Sequence, residues 1–322
     1  MTGTARALFG PAEGNPMRTT PEQRTSLDAT KTYRYLRIGM IGAVVLLAAS
    51  IAVERTKVHC WQTSISAYYY TPVRAIFVGA MIAVGFALIA YKARYMLEDV
   101  ALNLAGMLAP VVAVAPTMDV GRCWSVAPNP LPVTNGTPAN WVVTNIDNNV
   151  YALLIAGIAG LIAGGAIALI TTLRARKRFS ESVEEVEQGT GYSLIITAIA
   201  LVLGLILIRT WDDFYTRAHG FAAVGMFVAL IASILVKIVR QRDELAPRRA
   251  LLVVYVGVAV LMIAGGVLIP VTRVFGDHTV LWLEAWEIVL FAIYWLTQTV
   301  QYWNEQIVRE PTESGADVIQ NE

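Results

Sequence analysis

Two glutamates lie inside the last apolar segment of the chain, which reads LWLEAWEIVLFAIYWLTQTVQYW. Glu284 and Glu287 are three positions apart, so a helix places both carboxyls on one face. An ionisable side chain inside a bilayer is costly and is retained mainly where it faces protein, water or a substrate. The pair could bind a cation, or one carboxyl could hold a proton and serve as a general acid or base. The alternative role is stabilisation of the helix N-terminus.

A histidine lies at the start of the sixth apolar segment, in RTWDDFYTRAHGFAAVG. The residues after His219 are mostly Gly and Ala, and small residues let another helix approach the imidazole closely. His219 could be a ligand, a proton carrier or an interhelical hydrogen-bond donor. Together with Glu284, it is a candidate catalytic residue.

Hydroxyl-bearing side chains precede the second apolar segment, in SISAYYYTPVRAIFVGA. Irregular backbone is tolerated at membrane depth only where it is buried in protein or lines a wet cavity. Because proline suits the first turn of a helix, Pro72 predicts that the second helix starts there. We therefore expect the residues before it to line or re-enter the outer mouth of a helix bundle, and the ligand-binding candidates among them are Ser64, Ser66, Tyr68 and Tyr69.

Arg74 lies just inside the second apolar segment and needs an anionic partner there. The expected partners are Glu284, Glu287, a lipid phosphate or Asp119, which follows the third apolar segment. Asp119 is therefore also a ligand-binding candidate. The alternative is that Arg74 and the neighbouring tyrosines anchor the chain at the lipid headgroups.

Three further residues are expected to have structural roles. Cys60 and Cys123 are the only cysteines, and both fall on the predicted outer side, where a disulfide can persist; two unpaired thiols are the alternative. A disulfide would hold Asp119 near the run from Ser64 to Tyr70. Asn103, inside the third apolar segment, is expected to hydrogen-bond to a neighbouring helix.

The segments that carry these residues are apolar and near the length that spans a bilayer, about 17–25 residues. Of the 322 residues, 56% are hydrophobic and 15% are charged, a composition too apolar for an ordinary soluble domain. We predict an all-α, polytopic membrane helix bundle of about eight transmembrane helices in the bacterial inner membrane. The segments are 37–53, 73–91, 99–116, 149–172, 192–208, 218–237, 250–269 and 281–303.

Lysine and arginine concentrate in alternate connections, at 92–94, 174–178 and 237–249, and before the first segment. The positive-inside rule then places both termini in the cytoplasm. The predicted organisation is a disordered cytoplasmic segment (1–36), a transmembrane domain (37–303) with an outer loop (117–148) and a cytoplasmic linker (174–191), and a disordered cytoplasmic tail (304–322).

Several classes of function are disfavoured by the sequence. A net charge of +1 gives no basic face for nucleic acid. The chain has no phosphate-binding glycine loop, G-x-S-x-G elbow, CxxC or paired His-Glu zinc motif, so we predict neither a cofactor nor a metal. Membrane lipids are the expected partners, with protein partners or a homo-oligomer formed through helix faces as further options.

Three stretches, SISAYYYTPVRAIFVGA, EDVALNLAG and LEAWEIVLFAIYWL, resemble a family of uncharacterised bacterial multi-span integral membrane proteins. In that family a Ser-Tyr-Thr-Arg run precedes the second helix, and a glutamate lies eleven residues before a tryptophan in the last helix. This spacing selects Glu284 and Trp295. The resemblance implies a membrane location and no particular reaction. A distant similarity is to the alkaline-ceramidase and progestin-receptor-like membrane hydrolases, whose three-histidine zinc spacing this chain lacks.

Three functions remain open from the sequence. The first is binding or transport of a lipid or small amphipathic molecule in an outward-facing polar pocket, with the inner halves of the helices apolar. The second is an enzyme acting on a lipid or lipid-linked substrate at the outer leaflet, with Glu284 as acid or base and His219 or Arg74 steadying an anion. The third is a structural or assembly factor. The sequence does not decide whether the protein is an enzyme.

Overall fold

The computed structural model describes residues 21–176, 184–245 and 247–303 of the chain. Eight α-helices of at least 17 residues make up most of this part, together with one short helix. The helices are α1 (Pro21–Val58), α2 (Arg74–Ala90), α3 (Met96–Val114), α4 (Asn140–Arg176), α5 (Glu184–Thr210), α6 (Phe214–Arg240), the short α7 (Arg242–Leu245), α8 (Arg249–Thr272) and α9 (Thr279–Gln301).

Six helical segments in the described part of the chain are long and apolar enough to cross a membrane. They belong to α1, α3, α4, α6, α8 and α9, whereas α2 and the second half of α5, Leu194–Thr210, are shorter apolar helices. At about 1.5 Å per residue, α2 is about 25 Å long, somewhat less than the hydrocarbon core. The all-helical prediction is confirmed, and the bundle has the helix lengths and composition of a membrane protein.

The helices extend beyond the predicted segments at several ends. α1 begins at Pro21, so residues 21–36 of the segment predicted to be disordered are helical, while residues 1–20 lie outside the described residues. α4 begins at Asn140, so residues 140–148, which were predicted to end the outer loop, are helical. Its early start follows from Val142, Ile146 and Val150, which are buried in one cluster with α6 and the end of α5.

The loop before α4 is largely irregular but contains a small antiparallel hairpin, β1 (Val133–Thr134) with β2 (Thr137–Pro138). Its turn residues Asn135 and Gly136 both have positive φ, as a tight two-residue hairpin turn requires. On the other side of α4, helix covers both ends of the predicted linker 174–191, because α4 ends at Arg176 and α5 begins at Glu184. Residues 177–183 and the predicted tail 304–322 lie outside the described residues.

Helix α3 is packed against both α2 and α6, and α9 against both α8 and α1. Gly85 of α2 and Gly106 of α3 face each other so closely that a Cβ built on Gly106 would lie 2.7 Å from the Gly85 carbonyl oxygen. Small residues permit this approach of two helix backbones. The α4–α5 hairpin lies at the edge of the bundle, and many of its large apolar side chains, such as Ile162 and Ile199, are exposed.

Consecutive long helices run in opposite directions, so their connections gather at two ends. We call the end that contains Cys60 and Cys123 the disulfide end; it comprises residues 59–73, 115–139, 211–213 and 273–278. The opposite end, with residues 91–95, 241–248 and 302–303, is called the basic end, because its connections carry Lys92, Arg94, Arg242 and Arg248.

Candidate functional site

The segment between α1 and α2 folds into the disulfide end of the bundle, and every residue from Ser64 to Thr71 is buried. Ser66–Tyr70 form a short 3₁₀ helix. The Ser64 hydroxyl accepts a hydrogen bond from the Ala67 N–H (2.9 Å) at its start, and the Thr71 hydroxyl donates to the Tyr68 carbonyl (2.7 Å) at its end. The backbone is thus satisfied within the protein, as irregular backbone at membrane depth requires.

The carboxylate of Glu284 binds the start of this 3₁₀ helix. One carboxylate oxygen accepts from the backbone N–H groups of Ile65 (2.5 Å) and Ser66 (3.3 Å), and the other accepts from the Ser66 hydroxyl (2.7 Å). The Leu281 N–H, in the first turn of α9, also donates to the Thr63 carbonyl (3.0 Å). These contacts attach the start of α9 to the re-entrant segment.

His219 of α6 contacts the same serine from the other side. Its Nε2 lies 2.8 Å from the Ser66 Oγ, and its Nδ1 lies 3.1 Å and 2.8 Å from the carbonyl oxygens of Val112 and Ala115. Carbonyl oxygens only accept hydrogen bonds, so Nδ1 carries a proton, while Nε2 faces the Ser66 hydroxyl. The Val112 carbonyl is available because Pro116, four residues later, has no N–H.

Glu284, Ser66 and His219 therefore form a continuous hydrogen-bonded chain. A hydroxyl between a carboxyl and an imidazole can donate to either one while accepting from the other. A single proton can then reside on Glu284 or on His219, with Ser66 as the relay. Alternatively, His219 can take the Ser66 proton and activate the hydroxyl as a nucleophile. The site is thus suited to acid–base chemistry.

Glu287 does not share the surroundings of Glu284. Its side chain is buried, neither carboxyl oxygen has a hydrogen-bond partner among the described residues, and the nearest point of α8 is Gly266. Glu284 is directed at the re-entrant segment, whereas Glu287 is directed at α8. In this arrangement the two carboxyl groups face different parts of the bundle. They do not form one site, contrary to the expectation from their spacing.

The expected ion pair of Arg74 is not formed. Its guanidinium lies over the Tyr69 ring, 4.3 Å from the ring centre, and donates to the Tyr69 hydroxyl (2.6 Å). No carboxylate in the described part of the chain lies within ion-pair distance of it. Arg74 is exposed, so cation–π contact and solvent replace the anionic partner that a buried arginine would need.

Asp119 has a local role in its loop and is exposed. Its carboxylate accepts from the Gly121 N–H (3.0 Å), two residues later. The loop is held over the re-entrant segment by the Tyr70 hydroxyl, which donates to the Thr117 carbonyl (2.8 Å). Burial raises the pKa of Tyr70 above its ordinary value, so its hydroxyl stays protonated and available as a donor.

A second set of contacts pins the outer loop above the site. Cys60 and Cys123 form a disulfide with their Cα atoms 6.1 Å apart. The fully buried Gln62 accepts from the N–H groups of Arg122 (3.0 Å) and Cys123 (3.3 Å) and donates to the Cys123 carbonyl. The buried Glu54 accepts from the Ser125 hydroxyl (2.5 Å). Neither Gln62 nor Glu54 was selected from the sequence, because nothing in their spacing distinguishes them from other polar residues at a helix end.

A polar cluster at the basic end was also missed, and it contradicts the expectation that this half of the bundle is apolar. The buried Arg37 guanidinium lies over the rings of Tyr91 (5.2 Å) and Tyr302 (5.1 Å) and donates to the Tyr91 hydroxyl (3.2 Å). The Tyr91 hydroxyl donates to Gln298 (3.0 Å), and the buried Lys237 donates to the Tyr302 hydroxyl (3.1 Å). From sequence, Lys237 counted only as a positive charge of a cytoplasmic connection, and the other four residues were not selected.

Asn103 lies near this cluster, in α3. Its side-chain amide donates to the Asp99 carboxylate (3.1 Å), one turn earlier in the same helix. That carboxylate also accepts from Lys92 (3.1 Å). This contact orders the first turns of α3, and the expected bond from Asn103 to a neighbouring helix stays a prediction.

An apolar cavity of about 50 Å³ lies between α1, α2, α6 and α9. Its lining includes Ile288 and Phe291, which follow Glu284 at positions i+4 and i+7 and so lie on the same face of α9. The cavity therefore lies about one helical turn further into the bundle than the hydrogen bonds of Glu284.

Two observations bear on what kind of site this is. Among the described residues, no group of three or more His, Cys, Asp or Glu side chains could hold a metal ion. The hydrogen-bonded chain from Glu284 to His219 is instead assembled from three distant parts of the sequence.

A comparison of the chain with protein-family models, with curated proteins and with solved structures finds no match.

Proposed function

We propose that the protein is an integral membrane protein with eight spanning helices, with the disulfide end outside and both termini in the cytoplasm, that binds a lipid-like amphipathic molecule. The two ends of the bundle support the proposal of eight spans. The disulfide joins the connection after α1 to the loop after α3, so the short α2 must carry the chain back across before α3 returns it. By the same reasoning α5 returns the chain between α4 and α6.

The observation that carries the binding proposal is the succession of polar and apolar groups along one face of α9. Glu284 is bonded to Ser66 near one end of this face, and Ile288 and Phe291 line the apolar cavity below. An amphipathic ligand places its head group at the first and its chain in the second. Met81 and Met226 also line the cavity, and flexible methionine side chains adapt easily to an inserted chain.

The hydrogen-bonding groups of Glu284 and His219 determine which kind of head group can bind. Glu284 accepts hydrogen bonds, and the Nε2 of His219 accepts one when the ring is neutral, so a hydroxyl, amine or amide head group can pair with this site. A phosphate head group would place a second negative charge beside Glu284, which is unfavourable. We therefore expect a neutral or cationic single-chain lipid to bind more tightly than an anionic one of the same chain length.

Native mass spectrometry of the protein in nanodiscs tests this proposal. We expect a stoichiometric complex with a long-chain amine or a monoacylglycerol, weakened at least tenfold by Glu284→Gln and also by Ile288→Trp, which fills the cavity. The matched control is Asp212→Asn, an exposed carboxylate at the same end of the bundle. Equal binding by wild type, Glu284→Gln and Ile288→Trp would rule the site out.

A second candidate function, a membrane hydrolase, is favoured by the 2.8 Å separation of the Ser66 hydroxyl and the His219 imidazole. In that reaction the Ser66 oxygen bonds to the carbonyl carbon of a lipid ester as His219 takes the hydroxyl proton, and His219 then passes the proton to the leaving alcohol. Water subsequently releases the acid from Ser66 with His219 again as the base.

A fluorophosphonate probe distinguishes this second function from simple binding. A hydrolase predicts covalent labelling of Ser66 that is lost in His219→Gln and retained in Ser64→Ala, since Ser64 contacts backbone and not the histidine. Lipid binding without any labelling of Ser66 would leave the binding function and exclude the hydrolase.

A further inference from the structure

Glu287 is a buried carboxyl group that the proposed ligand site does not use. It is 3% exposed, and both of its carboxyl oxygens lie inside the protein without a hydrogen-bond partner among the described residues. A buried polar group is normally hydrogen-bonded, and a buried charge is normally paired. The protonation state of Glu287 is therefore decided by its surroundings.

Those surroundings are a tightly packed contact between α8 and α9. A Cβ built on Gly265 of α8 would lie 2.5 Å from the ring of Trp286, and one built on the next residue, Gly266, would lie 3.8 Å from a Glu287 carboxyl oxygen. The Trp286 indole N–H also donates to the Leu261 carbonyl of α8 (3.0 Å). Both carboxyl oxygens of Glu287 are inaccessible to solvent within this contact.

Ionisable groups on the elements packed against α9 have other partners in the described part of the chain. Just before α9, Asp277 is paired with Arg122, and the Nδ1 of His278 lies 3.0 Å from the Gln62 carbonyl oxygen. Arg249 lies at the opposite end of α8 from the contact with Glu287. On α9 itself, Glu284 is bonded to Ser66, and on α8 the Tyr255 hydroxyl is bonded to Gln301 at the basic end. On α1, Glu54 is bonded to Ser125, Arg55 lies over Trp61 and Arg37 lies in the cluster at the basic end.

We propose that Glu287 is a proton-binding site within the α8–α9 contact, occupied by a proton in the packed arrangement described above. An ionised carboxylate there would lack a counter-charge, hydrogen-bond donors and water, and such a group is strongly unfavourable at membrane depth. Release of the proton must therefore be accompanied by entry of water or a cation, or by separation of α8 from α9. The site is independent of the lipid site, since it involves neither Ser66 nor His219.

Glu284 provides an internal contrast for the experiment. Its oxygens accept three hydrogen bonds, two from backbone N–H groups and one from a hydroxyl, and such bonds favour the ionised form. Two carboxyls three residues apart in one helix thus differ in the number of donors that surround them. A measurement that separates carboxylic acid from carboxylate tests this difference directly.

The experiment is infrared difference spectroscopy of the full-length protein in lipid bilayers between neutral and high pH. We expect a carbonyl-stretch band of a protonated carboxylic acid at neutral pH that shifts on exchange into deuterated water. This band should be absent in Glu287→Gln, retained in Glu284→Gln and displaced in Glu287→Asp, which keeps a carboxyl in the same contact.

Two results would overturn the proposal. One is the same band in Glu287→Gln, which would assign the acid to another residue. The other is its absence from wild type at neutral pH, which would mean an ionised carboxylate with a bound cation or water. A folding defect in Glu287→Gln does not remove the test, because Glu287→Asp must still show a displaced band.

Discussion

Ser66 connects the two ionisable residues of the site, because its hydroxyl contacts both Glu284 (2.7 Å) and His219 (2.8 Å). The sequence identified all three residues from a simple physical criterion, polar groups in apolar segments. It did not show that Ser66 lies between the other two, since they are separated from it by 218 and 153 positions and only tertiary packing brings them together. The guanidinium of Arg74 stacks on Tyr69 and pairs with no carboxylate among the described residues, whereas its expected pairing with a lipid phosphate stays a prediction.

Replacement of Ser66 by alanine should destabilise the protein. It removes the hydroxyl and leaves Glu284 and His219 each short of one hydrogen bond in a buried place, which costs about 1–3 kcal/mol for an unsatisfied group. Unfolding by SDS titration in mixed micelles measures this loss. Thr56→Ala is the matched control, since it removes an exposed hydroxyl bonded only to its own helix, at the Val53 carbonyl. Equal stability of the two variants would mean that the hydrogen bonds between Glu284, Ser66 and His219 do not stabilise the folded protein.

At the scale of whole helices, the site is positioned by the end of α3 and by the contact of α3 with α2. α3 ends at Val114, and Pro116 leaves the Val112 carbonyl free to orient His219. Hydropathy predicted where this helix lies, but helix ends depend on caps and tertiary contacts that an apolar run does not record. The same limitation explains why α4 starts at Asn140, earlier than predicted: residues 140–148 are polar on average but bury Val142 and Ile146.

Gly106→Ala should weaken the contact between α2 and α3. The added Cβ would lie 2.7 Å from the Gly85 carbonyl oxygen, a backbone atom that cannot move without separating the helices, and overpacking of this kind costs about 1–3 kcal/mol. In Gly79→Ala the new Cβ meets nothing within 4 Å, and alanine is the better helix former, so stability should be kept. Thermal unfolding of both variants in one detergent provides the comparison. A loss in Gly79→Ala as large as in Gly106→Ala would contradict the close crossing.

The two ends of the whole bundle differ in chemistry. The disulfide end carries Cys60 bonded to Cys123 and the loop pinned by Gln62, whereas the basic end carries the cluster around Arg37. The described connections of the basic end hold Lys92, Arg94, Arg242 and Arg248, against Arg122 and Arg273 in those of the disulfide end. Disulfides persist in oxidising compartments, and positive connections are retained in the cytoplasm. These two rules depend on different residues, and both support the proposed orientation, with the disulfide end outside.

Cysteine accessibility tests this orientation, because the described part of the chain has no free cysteine and a single introduced thiol is therefore the one that reacts. Asp212→Cys at the disulfide end and Pro247→Cys at the basic end both replace exposed residues. A membrane-impermeant maleimide should label Asp212→Cys in intact cells and label Pro247→Cys only after permeabilisation. The reverse pattern would place the disulfide end in the cytoplasm. Labelling of both in intact cells would mean that α6, which lies between the two positions, does not carry the chain from one side of the membrane to the other, and the eight-span arrangement would fail with it.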